Sequence, residues 1–220
     1  MKATITIPDN LNEISLYQYQ RFLSIADADE KELTDQKMVS IFCSIPFKET
    51  TFIKQKDIRE TCDFLNGLFE GEKDFQQRFK IKDIEFGFIP SLEDITAGEF
   101  SDLDSYLGNW ENMHKAMAVM FRPITTKIKD KYLIEDYEGS DKYSELMKFA
   151  PLGVVFGAVV FFYLLSKALS KAIQVSLTEE LMEEAIQQVR SSQLSGDGTP
   201  ASTLWQEETL RELMRLQNTN

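Results

Sequence analysis

The chain has 220 residues, 43% of them hydrophobic and 27% charged, and a formal net charge of −12. This length allows one core with appendages or two small domains. The acidic charge argues against a nucleic-acid backbone as the main ligand, because phosphate would be repelled. The two cysteines, Cys43 and Cys62, form no CxxC pair and lie in apolar helical patterns, which predicts buried free thiols in a reducing compartment.

The first ninety residues carry three helical patterns and three strand patterns. Residues 3–8 alternate threonine and isoleucine before a proline, which predicts a short edge strand. Strands are also predicted over 75–81 and 84–89, joined as a hairpin by a two-residue loop. Apolar residues at helical spacing predict three helices between these strands, beginning near Ser15, Thr34 and Asp57.

A capping box opens the next helical region. Thr96 and Glu99 have the spacing at which each side chain accepts a hydrogen bond from the other residue's backbone, which predicts a helix start. A second helix is predicted from Asn109 to Phe121, ended by Arg122-Pro123. It carries a methionine stripe, interpreted as core packing rather than as a binding groove: Met113, Met117 and Met120.

Residues 124–137 are predicted to be extended, and a short helix is predicted over 141–149. The run 149–166 that follows contains no charged residue. Its length of about 18 residues is at the threshold for a membrane-spanning helix. One interpretation is therefore a single-pass anchor over 149–169. The other, which is preferred, is the long central helix of a soluble domain, buried on nearly all sides.

Two glycines in the run 149–166 also bear on the choice between a membrane anchor and a soluble helix. In the anchor interpretation Gly153 and Gly157 form a GxxxG pair, which lets two helices approach closely. The soluble interpretation is favoured because Pro151 suits the first turn of a helix. The other apolar helix faces of the chain also need a surface to bury against.

The C-terminal section is predicted to be a partner-binding arm. It comprises an acidic amphipathic helix over 176–190, a flexible linker over 191–202 and an amphipathic helix over 203–220. A helix laid in a groove is the recognition mode this pattern favours. The predicted partner-binding residues are Leu181, Ile186, Trp205, Leu210, Leu213 and Met214.

The sequence shows no motif for catalysis. His114, the only histidine, has no HxxxH or HxxE partner and no nucleophile at motif spacing. Carboxylates cluster at 102–104, 135–138 and 179–184 in polar surroundings, which favours a solvated surface over acid–base chemistry. We therefore predict a non-enzymatic protein without a cofactor or metal, whose partner is another protein. A homo-oligomer is compatible with this prediction.

Together the patterns predict a mainly helical α+β fold. The core domain is expected to span residues 1–175, with a small antiparallel sheet and the long apolar helix at its centre.

Four strings of the sequence resemble small structural or tail-module proteins of tailed bacteriophages, especially those of Bacteroidetes-type hosts. The resemblance covers roughly residues 1–175 and brings no catalytic residues with it. The strings are FGFIPSLEDITAGEFSDLDSY (86–106), MAVMFRPI (117–124), YLIEDYEG (132–139) and FAPLGVVFGAVVFFYLL (149–165).

The resemblance implies a role in virion assembly in the host cytoplasm. Its most concrete form is a tail-assembly chaperone, which keeps the long tape-measure protein soluble before the tail tube forms around it. An acidic helical protein with apolar grooves could shield such a client, since its charge suppresses aggregation. The alternatives are a structural component of the virion, such as a connector or cargo protein, and the single-pass membrane protein.

Overall fold

The computed structural model describes residues 5–26, 31–92, 94–129, 131–165 and 167. Contacts group residues 1–164 into one compact unit. This unit is a mixed helical and sheet fold with a four-stranded antiparallel sheet, so the predicted combination of helices with a small sheet is confirmed. The predicted arm over 176–220 lies outside the described residues.

Eight α-helices are found in the described part of the chain. A 3-10 turn over Leu11–Glu13 precedes the first of them. The helices are α1 (Leu16–Ala26), α2 (Lys31–Phe42), α3 (Phe47–Thr50), α4 (Gln55–Glu70), α5 (Ala97–Tyr106), α6 (Met113–Met120), α7 (Asp141–Met147) and α8 over 152–165. The three helices predicted in the first half correspond to α1, α2 and α4, whereas α3 was not predicted.

The sheet is formed by two hairpins that meet at its centre. Its order is β1-β2-β3-β4, with every neighbouring pair antiparallel. The strands are β1 (Arg78–Ile81), β2 (Ile84–Phe88), β3 (Phe121–Ile128) and β4 (Lys131–Ile134). The predicted hairpin over 75–89 is confirmed as β1 and β2, which turn where Ile81 pairs with Ile84.

The predicted strand over 3–8 is wrong for its described residues. Residues 5–8 have no strand structure, and none of these described residues belongs to the sheet. Ile7 is exposed and Pro8 is buried. This is the reverse of the burial expected if the isoleucines lined the covered face of a sheet.

Strand β3 begins at Phe121, inside the helix that the methionine pattern predicts. Phe121 pairs with Phe88 and is fully buried, so the pairing with β2 takes the chain out of the helix there. Arg122 and Pro123 therefore lie within β3, and the prediction that they end a helix is wrong. Pro123 pairs in register with Phe86 of β2, and the pairing of β3 with β4 shifts register beyond it, between Ile124 and Thr126.

The start of α8 is held by the N-terminal segment. Leu16 N–H donates to Ala150 O at 3.0 Å, and Leu152 N–H donates to Ile14 O at 2.8 Å. Both glycines of the GxxxG pair are used for close contacts within the unit. A Cβ added at Gly153 would lie 2.4 Å from the Asn12 side chain, and one at Gly157 would lie 2.3 Å from the backbone oxygen of Asp74.

Helix α8 changes character along its length. Its first half is buried, whereas four residues near its end expose apolar side chains: Val160, Tyr163, Leu164 and Leu165. Burial on nearly all sides is therefore confined to the first half of the described helix. No helix among the described residues is both long and apolar enough to span a membrane.

Candidate functional site

The six predicted partner-binding residues, from Leu181 to Met214, all lie outside the described residues. Two features of the unit formed by residues 1–164 are instead candidates for function. The first is a buried polar network at the sheet, and the second is the exposed apolar face at the end of α8.

The polar network is built on an ion pair between β3 and α5. Arg122 Nη1 donates a hydrogen bond to Glu99 Oε1. The two residues are only 8% and 3% exposed, so each charge depends on the other for compensation. Arg122 faces away from Phe121, its neighbour in the strand, because successive side chains of a strand point to opposite sides. Among the described residues, the buried Nε of Arg122 has no hydrogen-bond partner.

Glu99 is positioned by the predicted capping box, which the structure confirms. Thr96 N–H donates to Glu99 Oε2 at 2.7 Å, and Glu99 N–H donates to Thr96 Oγ1 at 3.2 Å. The other carboxylate oxygen, Oε1, receives the arginine. One glutamate therefore both caps α5 and fixes that helix to β3.

Tyr137 completes the network from a third segment of the chain. Its hydroxyl donates to Asp102 Oδ2, and the Arg122 guanidinium lies 5.5 Å from the centre of its ring. The network joins residues from three separate stretches of the sequence: Glu99 and Asp102 from 86–106, Arg122 from 117–124 and Tyr137 from 132–139. These stretches, separated in sequence, thus meet at one place in the fold.

The ionisation of the network does not suit proton transfer at neutral pH. Burial raises the pKa of Glu99, but hydrogen bonds from Thr96 and Arg122 outweigh it and leave that pKa below its usual value. Burial and the hydrogen bond to Asp102 raise the pKa of Tyr137 well above its usual range. Glu99 therefore stays charged and Tyr137 stays neutral, so the network acts as an electrostatic clamp between β3, α5 and the segment after β4.

Sequence reasoning identified Glu99 only as a capping residue and Arg122 only as a helix end. One signal was nevertheless present. Arg122 interrupts an apolar run, and an arginine in buried surroundings requires an acidic or hydrogen-bonding partner. The identity of that partner depends on the packing of α5 against the sheet, which the local sequence does not encode.

The remaining candidates are core residues. The methionine stripe of Met113, Met117 and Met120 is fully buried, which confirms its interpretation as core packing. His114 is also buried, with Nδ1 3.2 Å from Gln20 Nε2, and burial lowers its pKa. It is thus a neutral core histidine at pH 7.

Both cysteines are free and buried, as predicted. Burial raises the pKa of Cys43 to about 11 and that of Cys62 to about 12, with Asp35 adding to the effect at Cys62. The reactive thiolate form is therefore scarce at neutral pH.

The carboxylate clusters are only partly solvated. Asp104, Asp136 and Glu138 are exposed, as predicted, but Asp102 and Glu135 accept hydrogen bonds from Tyr137 and Tyr143. The cluster at 179–184 lies outside the described residues. Within the described ranges, no group of three or more acidic, histidine or cysteine side chains is placed to hold a metal ion.

The exposed apolar face consists of Val160, Tyr163 and Leu164, which lie on one side of α8 because they are three and four residues apart. They are 38%, 66% and 57% exposed. The other side of the helix packs onto the core, where Phe161 stacks on Phe75 with ring centres 4.5 Å apart. The helix is thus anchored by one side and presents an uncovered apolar side within the described unit.

No protein-family model, curated protein or solved structure matches the chain. Evidence for function therefore comes from the chain's own residues and from its charge.

Proposed function

We propose that this chain is a non-enzymatic virion-assembly protein of a tailed bacteriophage, a tail-assembly chaperone that binds the tape-measure protein in the host cytoplasm. The observation that carries the proposal is an apolar helix face presented by a strongly acidic chain: Val160, Tyr163 and Leu164 in a protein of net charge −12. The resemblance of four strings to phage tail-module proteins supports the same role.

The physical basis of the proposal is complementary burial. A tape-measure chain exposes apolar stripes along its helices, and these need temporary cover in water. An apolar helix face can supply that cover, while the net negative charge keeps the complex from associating further. We further propose that α8 is the described part of a long central apolar helix, and that Leu181, Ile186, Trp205, Leu210, Leu213 and Met214 add a second contact surface.

Co-expression tests the proposal directly. The tape-measure protein encoded in the same phage genome is produced with and without this chain, and its soluble fraction is compared. We expect the client to be soluble and to co-purify only when the chain is present. An insoluble client in both cultures, with no co-purification, would contradict the proposal.

The composition of purified virions separates the chaperone from a structural component. We expect the chain to be absent from particles, because a chaperone leaves when the tube closes around its client. A fixed number of copies per particle would instead establish the structural alternative. Extraction from membranes that required detergent and resisted salt would establish the membrane anchor.

The arm has its own test. If it contributes to client binding, Trp205→Ala and Leu213→Asp should each reduce the amount of co-purified client. Unchanged recovery with both variants would remove the arm from the proposed interface and leave the face on α8.

A further inference from the structure

Strand β4 forms one edge of the sheet, and the described residues place no strand beside it. An open edge presents backbone N–H and C=O groups that can pair with another strand. We propose that this edge pairs with the same edge of a second copy of the chain, so that two antiparallel β4 strands join the two sheets about a two-fold axis at Leu133.

Strand β4 is held in place by contacts within the single chain. The Tyr132 hydroxyl donates to Phe88 O at 2.9 Å, across β3. Its ring also fills the space over Gly87, where an added Cβ would lie 2.5 Å from Tyr132 Cε2. Strand β4 is therefore fixed to β2 as well as to β3, and pairing would not have to order a loose strand.

The backbone of β4 determines which residues can pair outward. The carbonyl of Leu133 accepts from Thr125 Oγ1 at 3.4 Å, and Glu135 N–H donates to Pro123 O at 3.0 Å. Odd-numbered residues thus turn their backbone groups toward β3. The N–H and C=O groups of Tyr132 and Ile134 consequently point away from β3, because the direction alternates along a strand.

Charge then selects one register. Tyr132 of one copy can pair with Ile134 of the other, which places Leu133 opposite its own counterpart. In this register Lys131 of each copy lies directly opposite Glu135 of the other, on the same face as Leu133. Opposite charges in directly facing positions stabilise a sheet, whereas like charges destabilise it.

The surroundings of Glu135 fit an incoming lysine. A groove of about 510 Å³ lies beside the end of β4 and includes the carboxylates of Glu135, Asp136 and Glu138 and one lysine, Lys142. Lys142 already pairs with Glu135 at 3.0 Å and with Glu138 at 2.9 Å. Because three carboxylates face a single lysine, the groove keeps an excess of negative charge for a second lysine. Lysines on an edge strand normally discourage pairing. In the proposed dimer, antiparallel pairing places each Lys131 beside the acidic groove of the other copy and away from the other copy's Lys131.

The two-fold position also explains an exposed apolar side chain. Leu133 is 63% exposed on the outer part of the hairpin. At the two-fold axis it would lie directly opposite Leu133 of the second copy. The two leucines would form a non-hydrogen-bonded pair of the antiparallel sheet, in which the Cα atoms are about 4.5 Å apart. Each leucine would thereby cover the other.

Cysteine cross-linking tests the register. A disulfide needs Cα atoms about 4.4–6.8 Å apart, so Leu133→Cys should oxidise to a covalent dimer of twice 25.3 kDa. Ile128→Cys is the matched control, because Ile128 is 69% exposed on the same hairpin but lies away from the axis. Equal cross-linking of both variants, or none with Leu133→Cys, would overturn the proposal.

Charge reversal tests the pairing without a covalent bond. Lys131→Glu and Glu135→Lys should each weaken dimerisation by at least about tenfold, since both symmetry-related pairs become repulsive. An equimolar mixture of the two variants should dimerise again, because each lysine then meets a glutamate across the axis. Light scattering of the separate and mixed samples measures this, with circular dichroism to confirm folding. Variants that remain dimeric on their own would place the contact elsewhere and overturn the proposal.

Discussion

Gly157 shows at the scale of one residue why a small side chain is required in α8. A Cβ at this position would lie 2.3 Å from Asp74 O, and a backbone oxygen cannot move aside as a flexible side chain can. We predict that Gly157→Ala lowers the free energy of unfolding by at least about 2 kcal/mol, the cost typical of overpacking. Urea denaturation measures the change.

The control for this prediction is Gly67→Ala in α4. No atom lies within 4 Å of a Cβ added at Gly67, which lies inside a helix. Alanine there should raise the free energy of unfolding by about 0.5–1 kcal/mol, because glycine in a helix interior is unfavourable. Equal effects of the two substitutions would show that Gly157 is not in close contact with residue 74.

The buried pair of Glu99 and Arg122 predicts a pH-dependent stability. At pH 7, Glu99→Gln should lower the free energy of unfolding by about 3 kcal/mol, because Arg122 loses its compensating charge. Since the pKa of Glu99 is lowered in the fold, the carboxylate contributes stability above its unfolded pKa of about 4.3. That contribution is lost as the pH falls through the lower pKa of the folded state.

The measurement is urea denaturation of the wild type and Glu99→Gln between pH 7 and pH 3. The difference between the two proteins should be largest at pH 7 and should shrink as the pH falls below 4.3. A difference that stayed constant across this range would mean that Glu99 is not a stabilising carboxylate.

At the scale of elements, the start of α5 depends on one side-chain hydroxyl. Thr96→Ala removes the oxygen that accepts from Glu99 N–H, and it should cost about 1–2 kcal/mol of unfolding free energy. Thr96→Ser retains that oxygen and should cost much less. Thermal or urea unfolding of both variants checks the difference, and an equal loss would indicate that the methyl group matters and the cap does not.

Elements with local signals could be predicted from the sequence. The capping box before α5 and the hairpin of β1 and β2 both depend on neighbouring residues, and both are confirmed. Strand β3 could not be predicted in the same way. Its first residue, Phe121, continues an apolar helical pattern, and only its pairing with Phe88 identifies it as strand.

In the candidate site, too, the local feature could be predicted from the sequence and the tertiary contact could not. The sequence indicated that Thr96 and Glu99 form a cap, but the contact of Glu99 with Arg122 joins residues 23 positions apart through tertiary packing. Likewise, the apolar run 149–166 does not reveal which of its side chains stay uncovered. The packing of Phe161 on Phe75 decides that Val160 and Leu164 face outward.

At the scale of the whole molecule, acidity and an open apolar face have to be explained together. A net charge of −12 keeps copies of the chain apart in solution, except where charges match locally. An exposed apolar helix face promotes aggregation, and a face of this kind commonly marks a binding site. The proposed client binding would account for both properties, because the charge would also keep the complex from aggregating.

The most direct test of this account is the affinity of the chain for the proposed tape-measure client, measured by biolayer interferometry with a soluble segment of that protein. The double variant Val160→Asp/Leu164→Asp should bind at least about tenfold more weakly, because two apolar contacts become charged. Phe47→Asp/Phe52→Asp is the control, since it makes the same charge change at two other exposed apolar residues, 40% and 83% exposed. Wild-type affinity in the control together with weak binding in the first variant is the predicted result. Equal binding by all three proteins would contradict the assignment of the face on α8.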